Sequence, residues 1–173
     1  GKKTLNMVSL HTWPMAYAFN IPTSEREQSK KEFGGDKYRH IEMKYICQET
    51  VLTHKKAKKE YWAMMGDYNA VSRVDNVKYG HPEDSPAFLV HDYIMDETPY
   101  KDVIKEFYPD SVISTTGGGR RIDFIYTTPA LFKKATHATI VRDGYPAPVR
   151  NAQKISNFWH PSDHSPIIVD FKF

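Results

Sequence analysis

The chain has a single cysteine, Cys47, so it can form neither an internal disulfide nor a cysteine-based zinc site. A disulfide-free protein can live in any compartment, so none is implied. No apolar run approaches the ~18 residues that a membrane span needs. Neither sign of charge dominates: the formal net charge is +3, which suits a phosphate-bearing substrate and falls short of a protein that coats nucleic acid. The local run Lys55-Lys56-Ala57-Lys58-Lys59 reads as a solvated helix end. Repeats, low-complexity tracts and interdomain linkers are also missing, and 173 residues at 40% hydrophobic content suit one domain core over residues 1–173. The chain opens Gly-Lys-Lys, with no initiator Met and no signal-peptide apolar segment, so residues are expected to be missing upstream.

What is present is a series of apolar runs that each stop at a polar cluster. Thr4–Leu10 alternates and predicts a strand ending at His11-Thr12-Trp13-Pro14, where the proline stops pairing and leaves His11 at the strand's end. Alone, a strand-end histidine is more often a hydrogen-bonded structural residue than a catalyst. Met15–Gly35 is a long irregular segment, too aromatic for simple disorder. Asp36 is placed to cap a helix running to about His54, with Tyr38, Ile41, Tyr45, Ile46 and Leu52 as its apolar stripe and His40 and His54 as surface or packing residues. Tyr61–Met65 is a continuous apolar run, the pattern of a central strand buried on both faces. It ends at Gly66-Asp67-Tyr68-Asn69, where an extended backbone would point Asp67 and Asn69 one way and Tyr68 the other.

Phe88–Met95 fits a helix or a strand, and Thr98-Pro99 predicts a short helix over Tyr100–Phe107. Gly117-Gly118-Gly119 beside Arg120 and Arg121 either cradle a phosphate or form a hairpin loop. Asp123 lies within the apolar strand Ile122–Tyr126, where a carboxylate needs a partner such as an imidazole. Ala138–Arg142 reads as a further strand, followed by a proline-containing loop over Gly144–Asn157.

The last stretch ties these clusters together. In Trp159-His160-Pro161-Ser162-Asp163-His164-Ser165-Pro166, two prolines flank Asp163 and His164 and disfavour a helix, and Ile167–Phe173 reads as a buried strand. A stiff loop at a strand end can present a carboxylate and an imidazole to one ligand. The plain alternative is a polar turn in which Asp163 caps a backbone amide. Strands separated by helices and long loops, ending at His11, at Asp67 with Asn69, at Asp123, and at Asp163 with His164, describe a layered α/β domain with its site at strand ends.

These clusters, in this order, resemble the endonuclease/exonuclease/phosphatase, or DNase I-like, superfamily. Gly66-Asp67-Tyr68-Asn69 looks like its Gly-Asp-aromatic-Asn element, Arg121-Ile122-Asp123-Phe124-Ile125 like its Arg-Ile-Asp-Tyr-Ile strand, and Ser162-Asp163-His164-Ser165-Pro166-Ile167 like its closing Ser-Asp-His-x-Pro element. His11 resembles the family's mid-chain histidine. The likeness covers the chain from about Leu5 to its end. It implies a four-layer α/β sandwich to which this chain contributes about one sheet with its outer helices. The family's first half carries an Asn and a metal-binding Glu that have no counterpart before His11, and Glu25, Glu27 and Glu32 do not match that position. The chain therefore looks like a C-terminal portion.

The resemblance implies a metal-dependent phosphoesterase. His164 would be the general base, Asp123 would orient its ring, Asp67 would position the attacking water, and Asn69 and His11 would contact the phosphate. Asp163 would help hold Mg²⁺, or Mn²⁺. The substrate class stays open among nucleic acid, lipid head groups and small phosphoesters. A second reading is a catalytically weak or inactive fold fragment that acts as a binding or oligomerising module. A third is a zinc site from His160, Asp163 and His164, which Pro161 disfavours by breaking the helix such spacing needs. A fourth is a purely structural domain. Because the sandwich packs sheet on sheet, the inner face is expected to be covered by a second copy, as a homodimer, or by an upstream fragment.

Overall fold

The computed structural model describes residues 4–141 and 162–173. Its first strand follows from simple alternation: along Leu5–His11 (β1) every second side chain is half-buried and the others face solvent. This strand runs parallel to Tyr61–Asp67 (β2), from Leu5 opposite Tyr61 to His11 opposite Asp67. A parallel pair needs a crossover, and here it contains Arg26–Lys31 (α1) and Gly34–Glu49 (α2). After β2 come Asn76–Tyr79 (α3), Leu89–Glu97 (α4), Lys101–Asp102 (β3), Val103–Phe107 (α5) and Asp123–Thr127 (β4). β4 pairs antiparallel with β2 and with β3, giving the order β1-β2-β4-β3. Pro129–Phe132 (α6) then leads to Ala135–Ile140 (β5), which pairs antiparallel with Ile167–Phe171 (β6) as a separate two-stranded sheet.

Two faces of the larger sheet bury different partners. On one, Trp62, Met64, Phe124 and Tyr126 pack with Met43 and Cys47 of α2 and with Val90 and Ile94 of α4. Each such fully buried large side chain contributes ~1.5–3 kcal/mol. On the other face, Tyr61 and Ala63 meet Leu131 of α6 and Phe171 of β6. Ile125 joins Ala138, Ile140, Ile167 and Val169 of the smaller sheet and Val103 and Ile104 of α5. Helices, sheet and second sheet thus form stacked layers, a part of the α/β sandwich. The terminal run Ile167–Phe171 belongs to the second sheet rather than to the one carrying Tyr61–Met65. The cover it offers is partial: Leu5 and Met7 of β1 remain 41% and 63% exposed.

Several elements differ from the sequence-based expectation. α2 starts at Gly34, after Phe33 in a left-handed conformation, and ends at Glu49. Its buried line is Gly35, Arg39, Met43 and Cys47, whereas Ile41 and Tyr45 are 62% and 66% exposed. A strict four-residue spacing selects that line, and the terminal nitrogens of the Arg39 guanidinium donate to the carbonyls of Trp13 and Met15 and to Asp36. Phe88–Met95 resolves into α4 and its preceding turn. The short helix begins at Val103, not Tyr100. Asp102 caps it by accepting from the Lys105 N–H, while Thr98 closes α4 instead. The strand expected over Ala138–Arg142 begins at Ala135 and ends at Ile140. The lysine run is a single 3-10 turn, Ala57–Lys59, rather than the end of α2. The loop expected over Gly144–Asn157 lies outside the described residues.

Candidate active site

β1 and β2 end side by side, and the pairing is close. Gly66 has φ +144°, and a Cβ there would lie 1.9 Å from the Leu10 carbonyl oxygen, so only glycine lets the two backbones approach this way. The chain then turns at once. Asn69 is left-handed (φ 47°), and its N–H donates to Asp67 Oδ1 at 2.7 Å. This is a side-chain-closed turn, not the extended backbone expected from the sequence, and it fixes the Asp67 carboxylate. Tyr68 does face inward, fully buried, with its hydroxyl donating to the Met64 carbonyl. Asn69 Nδ2 donates to the Thr12 carbonyl at 3.2 Å, which ties the ends of β1 and β2 together.

The imidazole arrives from the second sheet's side. His164 Nδ1 lies 2.9 Å and 3.0 Å from the two carboxylate oxygens of Asp123. The expected pairing is therefore present. Because Asp123 accepts at Nδ1, that nitrogen carries the proton and Nε2 is left with a free lone pair. Asp67 Oδ2 is 4.0 Å from the same Nδ1 and 3.6 Å from His11 Nε2. Asp163 stands apart, its side chain 70% exposed and its carboxylate 3.7 Å from His164 Nε2. Burial opposes charge on His164, but the hydrogen bond to Asp123 and the charges of Asp123, Asp67 and Asp163 outweigh it and hold the imidazole above its usual pKa. Burial also pushes the Asp123 carboxyl up, against the hydrogen bonds from Thr115 and His164.

Thr115, which the sequence reading passed over, organises this pair. Its hydroxyl oxygen accepts the N–H groups of Ile122 and Asp123 at 3.1 Å and 3.2 Å, and its carbonyl accepts the Ser165 N–H at 2.6 Å. Gly117 N–H donates to the Asp163 carbonyl at 2.9 Å. The glycine-rich loop thus holds the His164 loop by backbone bonds.

Arg121 is not a phosphate ligand either. Its side chain is 1% exposed and lies 2.6 Å from Asp75 and 2.7 Å from Asp102, with Lys105 3.0 Å from Asp75. Its guanidinium also lies over the Phe124 ring at 4.3 Å. Burial pushes Asp102 up against the pull of Arg121, while the two carboxylates keep Arg121 protonated against burial. A faint signal existed: an arginine beside an apolar strand needs a buried counter-charge as much as Asp123 does.

Asp67, Asp123 and His164 present ligand atoms within 4.8 Å of one another, a spacing a metal ion can bridge. The donors are mainly carboxylate oxygens, which fits a hard divalent cation. A cleft of about 370 Å³ opens between these residues and an apolar wall of Met65, Ile125 and Ile167. Larger hollows lie elsewhere, around Lys59 and His54; the His54–Glu60 pair, 2.8 Å apart, lines one of them, but neither holds a three-membered cluster such as Asp67, Asp123 and His164 among the described residues. Of the zinc alternative, His160 lies outside the described residues.

No protein-family model matches the sequence, and neither does any curated protein. Solved structures do match. An AP endonuclease from Archaeoglobus fulgidus aligns with TM-score 0.61 and 20% identity, over 96% of this chain and 61% of its own. NExo from Neisseria, a 3′ phosphatase bound to product DNA hairpin, aligns with TM-score 0.59 and 16% identity over the same shares. The catalytic domain of APE2 from Xenopus laevis aligns with TM-score 0.51 and 17% identity, over 90% of this chain and 48% of its own. The chain therefore has part of the DNase I-like fold that these structures share, and it spans about three-fifths of the length of the first two.

Proposed function

We propose that the chain is the C-terminal portion of a metal-dependent phosphoesterase, hydrolysing phosphodiester or phosphomonoester bonds. The observation that carries this reading is the 2.9 Å contact between Asp123 and His164 Nδ1 at the mouth of a cleft. With Nδ1 tied, Nε2 takes the proton from an attacking water, a role worth ~10²–10⁴ in rate. Asp123 holds the ring in the productive tautomer and stabilises the imidazolium that forms. Asp67, fixed by the Asn69 N–H, orients the water. Asn69 and His11 donate to the phosphoryl oxygens. Asp163 would help hold Mg²⁺, or Mn²⁺. When bound, the cation neutralises charge developing on the phosphoryl and leaving oxygens. The DNA hairpin in the Neisseria structure puts nucleic acid first among the substrates to test.

The test is a phosphodiester and phosphomonoester panel with Mg²⁺ and with Mn²⁺, run on this chain and on a version extended upstream. Turnover that needs the cation and disappears in His164→Ala supports the reading. Turnover that survives that change would overturn the assignment of the base.

A second reading, a fold fragment that binds or oligomerises without turnover, has its own support in the exposed Leu5 and Met7 side chains of β1. A second copy or an upstream fragment covering that face would bury at least ~1,000 Å². Light scattering after size exclusion decides: a monomer at micromolar concentration would remove the self-association.

A further inference from the structure

β2 has two ends, and they carry opposite charge. At its Asp67 end stand Asp67, Asp123 and Asp163. At its Tyr61 end, about 20 Å away along a seven-residue strand, stand lysines. Lys55, Lys56, Lys58 and Lys59 are exposed on the turn that precedes β2, which is pinned by the buried Ala57. α6 packs on that turn, and Lys133 and Lys134 follow α6 directly in the chain. The Lys172 N–H donates to the Lys134 carbonyl, bringing Lys172 to the same end.

None of these seven lysines lies within ion-pair distance of a carboxylate among the described residues, whereas Lys30, Lys101 and Lys105 do. The acids of this end are Glu60, Asp96, Glu97 and Asp170, and Glu60 is taken by His54 at 2.8 Å. Apolar side chains stand among the lysines: Leu52, 40% exposed, borders the same hollow as Lys55–Lys59, and Phe173, 69% exposed, lies against Tyr61.

We propose that this lysine-covered end is a docking surface for an anionic lipid bilayer, used at the opposite end of the molecule from the His164 cleft. Three features favour a bilayer over a nucleic acid. Every cation named is lysine, a compact point charge suited to a diffuse anionic surface rather than to the bidentate phosphate grip of arginine. The exposed Leu52 and Phe173 have a use at a lipid interface and none on a sugar–phosphate backbone. The lysines spread over three separate elements, giving a broad patch rather than a groove that tracks one strand. Such docking would leave the cleft facing away from the bilayer, toward water-borne substrates.

The experiment is co-sedimentation of the chain with phosphatidylcholine vesicles, with and without about one-third phosphatidylserine. Expected is binding to the anionic vesicles alone, fading as salt shortens the screening length. The exposed quadruple variant K55E/K56E/K58E/K59E should weaken binding by about a hundredfold or more. Far-UV circular dichroism checks its fold, and K58Q/K59Q with a smaller loss serves if the charge reversal unfolds it. Absence of binding to anionic vesicles at low salt would overturn the proposal, as would binding that ignores the lysine changes. Labelled duplex DNA, followed by fluorescence anisotropy, supplies the remaining arm: tighter binding to duplex than to vesicles, lost in the same variant, would reassign the patch to nucleic acid.

Discussion

Two charged clusters lie two residues apart in sequence and behave differently. Around Arg121, Asp75 and Asp102 are sealed, with side chains no more than 6% exposed. Around Asp123, His164 and Asp67 keep 29% and 17% of their side-chain surface. The sealed cluster is closed to solvent and fixes the backbone entering β4. The half-open one has the same carboxylate–cation chemistry, but water and substrate can reach it. Access, more than residue type, separates a frame from a site.

The sharpest way to break this comparison is to remove one member from each cluster. His164→Ala is expected to lower turnover by about 10²–10⁴-fold and, above the elevated His164 pKa, to leave stability nearly unchanged, read by steady-state rates and urea melts on the same preparation. Asp102→Asn should do the converse, costing about 3–5 kcal/mol because Arg121 keeps its charge with one buried partner fewer. A melt shifted by less than about 1 kcal/mol would show that the frame is dispensable. Thr115→Val tests the link between the two. It removes the acceptor of two backbone N–H groups, and a loss of about 1–3 kcal/mol together with a fall in turnover is expected. Unchanged rates would free the dyad from this residue.

The smallest effect, per pH unit, separates two histidines. His91 is buried between the Tyr126 hydroxyl and the Ala70 carbonyl, and burial lowers its pKa to about 3. The unfolded chain therefore binds a proton at His91 before the folded one does. Stability should fall as pH drops below about 6.5, by up to about 1.4 kcal/mol per unit, until the folded group also titrates near 3. His164 is shifted the other way. Its free-base form should appear only above the ordinary histidine range, placing the acid limb of the rate profile there. Its charged form stabilises the fold at low pH, and that contribution is lost as pH rises through the elevated pKa. Urea melts and rate profiles between pH 5 and pH 9 would reveal both; a rate limb at or below about 6.5 would contradict the second.

Much of the site was legible because its signals are local. Gly66-Asp67-Tyr68-Asn69 and Asp163-His164 each pack turn chemistry against an apolar run, and Asp123 stands out as a charge within a strand. The frame was not legible, since Asp75 and Asp102 precede Arg121 by 46 and 19 residues and lie in segments with no periodicity to mark them. Thr115 was hidden because a hydroxyl in a loop carries no distinctive pattern. The face of α2 was misassigned for a different reason. Ile41 and Tyr45 are apolar yet solvent-facing, while Arg39 is buried by virtue of carbonyl partners outside the helix, so tertiary hydrogen bonding overrode hydrophobic pattern.

Thr115 touches the Asp123 backbone with its side chain and the His164 loop with its main chain. Thermal displacement of either segment is thereby passed to the other, so the two members of the dyad should drift together rather than apart. The separation that proton transfer depends on would then fluctuate less than the position of the loop itself, and the site could ride on a moving surface while keeping its internal spacing.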